Sequence, residues 1–319
     1  MVVSQPSVSV VVPVFNGAAS LHELVDRLAT VLGSLGCLHE VILVNDASSD
    51  ESWAIIETLA TARSTVRGVN LSRNFGQHNA LLAGIRLARY DVIVTIDDDL
   101  QHPPEEIPKL LQQLDHGFDV VYGAHQSDVH GLLRTNASRL TRIALRQFMA
   151  ADSARHVSAF RAFRGWVRNA FSEYDAPMVN IDVMLTWATS QFSHVEVRHD
   201  RREHGQSNYS VDLLVTHAWN MITGYSIRPL QFASFIGFAF MLFGLGVLVL
   251  VFVNFLVRGG GVPGFTFISC LVAVFAGIQL FALGIIGEYL ARTHMRIMGR
   301  PSYVVREVKS SDEASEPTP

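Results

Sequence analysis

Two stretches without a charged residue, Leu230 to Val257 and Gly259 to Gly287, fill most of the last third of the chain. Each exceeds the roughly 20 apolar residues a helix needs to cross about 30 Å of hydrocarbon, so the sequence predicts two membrane spans. Of the 319 residues 49% are hydrophobic, enough for one large folded domain ahead of the spans. Arg228 precedes the first span and Arg292, Arg296, Arg300 and Arg306 follow the second, against Arg258 alone in the Gly-rich link. The positive-inside rule then puts both termini in the cytoplasm and the link outside. Met1 to Gln5 carries no basic n-region and the apolar Val8 to Val14 is short, so no secretory signal is expected and the leading domain should stay in the cytoplasm. Cys37 and Cys270 are the only cysteines and imply neither a disulfide framework nor a thiolate metal site. The formal net charge of -4 argues against a nucleic-acid binder.

Ahead of the spans, short β-branched runs alternate with helical patterns, the signature of an α/β fold with a mostly parallel sheet. Strands are expected near Val8 to Val14, Val41 to Asn45, Val66 to Leu71, Val92 to Ile96, Val120 to Gly123 and Val195 to His199. Helices are expected near Ser20 to Leu35, Ser52 to Thr61, Gln77 to Ala88 and Pro104 to His116. A basic helix over Leu133 to Met149 and an amphipathic one over Val211 to Tyr225 follow, the latter suited to lying on a bilayer. The predicted division is a catalytic domain over 1–210, a juxtamembrane helix over 211–228, a two-helix membrane region over 229–291 and a tail over 292–319. Ser310 to Pro319 is small, acidic and expected to be disordered.

The chemistry concentrates at strand ends. Asp97-Asp98-Asp99-Leu100-Gln101 closes the apolar run Val92 to Ile96. Side chains alternate faces along a strand, so Asp97 and Asp99 can converge on one side while Asp98 points away. Two carboxylates that leave coordination positions to water and phosphate suit Mg2+ or Mn2+ holding a diphosphate leaving group. The plainer alternative is a solvated acidic turn. Asp46, in Asn45-Asp46-Ala47-Ser48-Ser49-Asp50, faces the same sheet edge and suits the ring N–H of a pyrimidine. Pro13 and Phe15, closing the first strand, would wall that pocket.

These motifs, with Leu71-Ser72-Arg73-Asn74-Phe75-Gly76-Gln77-His78-Asn79-Ala80, resemble the family 2 glycosyltransferases. Arg202-Glu203-His204-Gly205-Gln206-Ser207-Asn208-Tyr209-Ser210 and Gly287-Glu288-Tyr289-Leu290 narrow the resemblance to the polyprenyl-phosphate branch. That branch includes dolichol-phosphate mannose synthases and undecaprenyl-phosphate glucosyl and aminoarabinose transferases. The resemblance implies a GT-A fold and transfer, with inversion, of one sugar from a nucleotide diphosphate, UDP first among the candidates, to a polyprenyl phosphate. It implies that Asp46 reads the base, that Asp97 and Asp99 serve the diphosphate and its metal with Asp98 among the substrate-binding residues, and that Gln101 lies beside the donor. Arg73 and Asn74 would border the nucleotide, and Arg202, Ser207 and Tyr209 would close on a phosphate, where a guanidinium offers a forked donor set. Relatives also imply assembly of copies through membrane-proximal parts.

Three departures stand out. Gly17 replaces the Glu usual after the first motif, Asn208 replaces a common Lys, and Arg155-His156-Val157-Ser158-Ala159-Phe160-Arg161 lacks the acid expected before Phe-Arg. Asp152, His156 and Asp182 are the substitutes within reach in sequence, although a phosphate acceptor is already an anion and needs little proton removal. Two other functions compete: a non-catalytic nucleotide-sugar binder or membrane scaffold, and a processive polysaccharide synthase. The second would carry Gln-x-x-Arg-Trp and more spans.

Overall fold

The structure is a computed structural model and describes residues 7–124, 156–176, 178–200, 228–258 and 264–311. The chain divides into two compact units, Met1–Val215 with Gly299–Pro319, and Thr216–Met298. In the first, strands β1 (Val8–Val14), β2 (His39–Asn45), β3 (Val66–Leu71) and β4 (Val92–Thr95) alternate with helices α1 (Leu21–Ser34), α2 (Ser52–Ala62) and α3 (Gln77–Leu87). A 3-10 turn, Pro104–Glu106, leads into α4 (Ile107–Asp115), with Pro104 opening it where no backbone N–H is needed. Then come β5 (Val120–Ala124), β6 (Arg161–Arg164), α5 (Ile181–Ala188) and β7 (Phe192–Glu196), the last earlier in the chain than expected.

Among the described residues the eight-stranded sheet runs β7-β5-β6-β4-β1-β2-β3-β8, where β8 is Val305–Lys309. β1 pairs in parallel with both β2 and β4, so the strand order reverses there and opens a crevice at the carboxyl ends, where open α/β sheets bind ligands. β6 enters antiparallel between β4 and β5. All seven residues of β1 are buried, as a central parallel strand covered on both faces requires. Val8, Val10, Val12 and Val14 share a core with Leu21, Leu24 and Leu28 of α1 and Ile56 of α2. On the other face α3 approaches so closely that a Cβ on Gly84 would lie 2.4 Å from Val11.

The sequence puts 292–319 outside the folded domain. The structure instead brings Val305–Lys309 back as β8, antiparallel to β3. The second unit holds α6 (Arg228–Arg258) and α7 (Phe265–Ile297), both long and apolar enough to cross a membrane over Leu230–Asn254 and Phe275–Ile297. They meet where Gly244 leaves room for Phe275, the close approach small residues permit between membrane helices. The expected helices over Leu133 to Met149 and Val211 to Tyr225 lie outside the described residues.

Candidate active site

The loops after β1 and β2 are laced together across the crevice. Asn16 N–H donates to Ser48 Oγ at 2.9 Å, Ser49 N–H to Asn16 Oδ1 at 2.8 Å, Gly17 N–H to Ser52 Oγ at 3.0 Å and Ala18 N–H to Asp50 Oδ2 at 3.1 Å. Burial works to raise the Asp50 pKa, but the Ser52 and Ala18 donors outweigh it and hold the carboxyl below its ordinary range. Among the described residues three non-glycines adopt left-handed backbone, Asn16 (φ 56°), Ala47 (φ 54°) and Leu100 (φ 59°), each in a loop at this edge. Such conformations cost about 1–3 kcal/mol each and recur where function overrides local preference.

Asp46 is 3% exposed, and its two oxygens accept the N–H groups of Phe75 at 2.7 Å and Gly76 at 2.8 Å. Burial raises its pKa, and these amides and Arg73 offset part of the rise. About two of the four lone-pair sites of a carboxylate are thereby used by the chain itself. Asp46 thus clamps the loop that carries Arg73, whose guanidinium lies 4.3 Å over the Phe75 ring, and the exposed Asn74. Phe15 stands 53% exposed at the rim, whereas Pro13 is buried within β1 opposite Val44.

The alternation expected for Asp97, Asp98 and Asp99 does not hold, because β4 stops at Thr95 and the three residues lie in the following turn. Asp97 Oδ1 accepts Gln77 Nε2 at 2.6 Å, and Asp99 Oδ1 accepts Gln101 N–H at 3.1 Å. Asp98 is not turned away. Its Oδ2 takes the Phe15 N–H at 3.4 Å, and a Cβ on Gly17 would lie 2.1 Å from that oxygen. The space a side chain at 17 would fill is therefore occupied by the Asp98 carboxyl, and the wall keeps an acid although Gly17 supplies none.

Burial, with the charges of Asp97 and Asp99 added, pushes the Asp98 pKa up to about 7, and the Phe15 amide offsets only part of this. The native state then keeps a proton that the unfolded chain releases near pH 4, so between about pH 4 and 7 stability falls as pH rises. Asp98→Asn should consequently make the metal-free protein more stable than the parent at pH 8, by up to a few kcal/mol at about 1.4 kcal/mol per tenfold change in proton affinity. The advantage should shrink toward pH 4. Urea midpoints in chelator across that range measure it, and equal midpoints at pH 8 would refute the buried-acid assignment.

Gln101 is tied from outside its own loop, because its carbonyl accepts Asp200 N–H at 2.9 Å. Arg198 N–H reaches Glu106 Oε2 at 3.3 Å, so the chain leaving β7 runs along the carboxylate loop. His102 stacks on Phe160 at 5.4 Å and meets the His199 ring edge-on at 4.9 Å. Arg202, Ser207 and Tyr209 follow directly in sequence and lie outside the described residues.

Of the substitutes for the missing acid, Asp152 also lies outside the described residues. His156 stacks flat on His194 at 3.6 Å. Asp182 is 7% exposed, ion-paired with Arg161, and accepts the Tyr122 hydroxyl at 3.1 Å. Arg161 Nε also donates to Thr95 Oγ1 at 3.0 Å, two residues before Asp97. A carboxylate so engaged holds the sheet beneath the site and is not poised to accept a substrate proton. The motif that contains Gln77 gave it no role, and nothing in the sequence pairs Arg161 with Asp182 and Tyr122; Gly76, at φ 95°, makes the sharp turn that delivers Gln77.

Among the described residues no three His, Cys, Asp or Glu side chains gather as a ready metal cage. Asp97 and Asp99 nevertheless fit a hard divalent cation: after burial, their charges add to the rise of the Asp98 pKa, and such an ion offsets that excess of negative charge. Mg2+ in particular is commonly held by one or two carboxylates together with substrate phosphates.

A strand-order reversal, interlocked carboxyl-edge loops and an acidic turn are what a GT-A α/β fold presents at its ligand edge. The model for Glycosyl transferase family 2 matches residues 9–174, and the chain belongs to that family. The undecaprenyl-phosphate 4-deoxy-4-formamido-L-arabinose transferase of Edwardsiella ictaluri is 32% identical over 312 residues, covering 97% of this chain and 96% of that protein. The protein of the same name from Shewanella sediminis is 32% identical over 304 residues, covering 94% and 92%. Among solved structures, glucosyl-3-phosphoglycerate synthase from Mycobacterium tuberculosis in complex with Mn2+, UDP-glucose and phosphoglyceric acid superposes with a TM-score of 0.51. It is 21% identical and covers 68% of this chain and 78% of that one. The protein is a glycosyltransferase with two candidate membrane helices after its catalytic domain.

Proposed function

We propose that this membrane glycosyltransferase moves a single sugar, with inversion, from a nucleoside diphosphate, UDP in the first instance, to an undecaprenyl-type phosphate at the cytoplasmic membrane face. The observation that carries the proposal is the similarity to undecaprenyl-phosphate transferases across 97% of the chain, membrane helices included. Phe15 and the Arg73–Gly76 loop would border the nucleotide. Asp97 and Asp99 would hold Mg2+ or Mn2+, which supplies charge neutralisation for the departing diphosphate. Gln77 and Gln101 orient that turn through their bonds to Asp97 and Asp99. The acceptor phosphate is ionised near neutral pH, so positioning outweighs proton removal. Arg202 lies two residues past Asp200, whose amide is bound to Gln101, which supports a phosphate-closing role for that motif.

The test is incubation of the purified protein with undecaprenyl phosphate and a panel of nucleotide sugars, followed by mass spectrometry of the lipid fraction. A glycosylated lipid phosphate is expected with one donor. Nucleotide binding without any lipid product would favour the non-catalytic alternative instead.

Residues on both sides of the helical pair belong to one sheet, through β3 and β8, and one sheet lies in one compartment. The pair should therefore cross the membrane an even number of times. The Arg excess flanking it favours the cytoplasm for that compartment. Reporters fused before Met1 and after Pro319 should both read cytoplasmic, and a cysteine replacing Gly260 should label from outside. Opposite locations for the two termini would overturn this topology.

A further inference from the structure

The segment that leaves α7 is bound to two loops of the catalytic domain before it becomes β8, and one of them, opened by Ser72, lies at the carboxyl edge. Ser302, 2% exposed, donates its N–H to Asp175 Oδ1 at 3.0 Å and its hydroxyl to the Ala176 carbonyl at 2.9 Å. The Val304 carbonyl accepts Ser72 N–H at 2.9 Å. Between them, Tyr303 Oη accepts Arg86 Nη1 at 3.3 Å, and the same guanidinium donates to the Tyr174 carbonyl at 2.5 Å.

Both partners matter for position. Ser72 immediately precedes Arg73, and the loop it opens ends on the Phe75 and Gly76 amides that hold Asp46. Ser72, Arg73 and Asn74 are all exposed, so little apolar packing orders this loop. It is fixed at one end by Asp46 and at the other by Val304. The Tyr174–Ala176 turn is held in the same manner, by Arg86 on one side and Ser302 on the other. A loop with two tethers loses most of its conformational freedom before a ligand arrives, and that loss no longer weighs against binding.

We propose that Ser302, Tyr303 and Val304 form a strap that positions the donor site, making nucleotide affinity depend on a segment encoded beyond the membrane helices. Ser302 and Asp175 are its positioning residues, acting through the loops they hold. The inference rests on the reading that the crevice binds a nucleoside diphosphate.

The test uses the full-length protein, with Asp175→Ala, Asp175→Asn and Ser302→Ala, and UDP, GDP and dTDP as probes in the presence of Mn2+. Losing a tethering hydrogen bond is expected to raise the nucleotide Kd and the donor KM about three- to tenfold in Asp175→Ala and Ser302→Ala. At saturating donor, kcat should stay within about twofold of the parent, because the loss falls on binding and not on the chemical step. Asp175→Asn keeps an oxygen acceptor for the Ser302 amide and should restore the parent KM. A drop in kcat with KM unmoved, or parent-like KM in both truncated variants, would overturn the strap, the former pointing to lost folded protein alone. Ser302→Ala removes only an oxygen and keeps the test open if Asp175→Ala folds poorly. Failure of the parent to bind any of the three nucleotides would instead remove the donor-site reading, and the strap with it.

Discussion

Asp99→Asn is expected to lower the rate of sugar transfer by at least about 10²- to 10³-fold, the range seen when one preorganised charge-stabilising group is lost from an active site. The effect should fall on kcat. The Gln101 amide bond to Asp99 Oδ1 is one that Asn can keep, so the turn should survive while its charge does not. Asp97→Asn should be comparably impaired, with Gln77 keeping an oxygen acceptor there. Rates measured with Mn2+ and Mg2+ added back after chelation complete the test. Full activity in chelator, or a parent-like rate for Asp99→Asn, would remove the metal from the mechanism.

Asp182→Asn should destabilise the catalytic domain by about 3–5 kcal/mol, the usual penalty for leaving one member of a buried ion pair uncompensated. Burial works against the Arg161 charge, but Asp182, and behind it Asp97, keep the guanidinium protonated. Arg161 is 1% exposed and has no route to water once its partner is neutral. Burial likewise pushes the Tyr122 hydroxyl far up, so it remains a donor to Asp182 throughout the accessible pH range. Denaturant midpoints of the detergent-solubilised protein read the loss. The double variant Arg161→Met with Asp182→Leu should recover much of it, since apolar groups of similar volume commonly replace buried pairs without penalty. A parent-like midpoint for Asp182→Asn would return that carboxylate to the pool of candidate bases.

The early strands were legible because a central parallel strand must be apolar on both faces. Val8 to Val14 and Val66 to Leu71 were marked to the residue. β6 was hidden by its own composition: Arg161-Ala162-Phe163-Arg164 carries two charges, and nothing in the sequence states that Arg161 finds Asp182 in the interior. β8 was hidden by distance. Its partner β3 lies on the far side of both membrane helices, and its alternating charges match a sheet edge and a solvated tail equally well. At the site, the motifs picked out loops that the fold brings to one sheet edge, but side-chain direction depends on where a strand stops. With β4 ending at Thr95 and Leu100 in a left-handed turn, the period-two argument for Asp98 lost its premise.

The return of β8 also sets an order of assembly. A ribosome adds roughly 5–20 residues per second, so β3 emerges tens of seconds before its outer neighbour. In that interval both apolar helices are synthesised, and the outer edge of β3 presents unpaired amides and carbonyls. The sheet therefore closes only after the hydrophobic segments have left the ribosome. A chain interrupted between them would carry an open strand edge, a ready template for pairing with another chain.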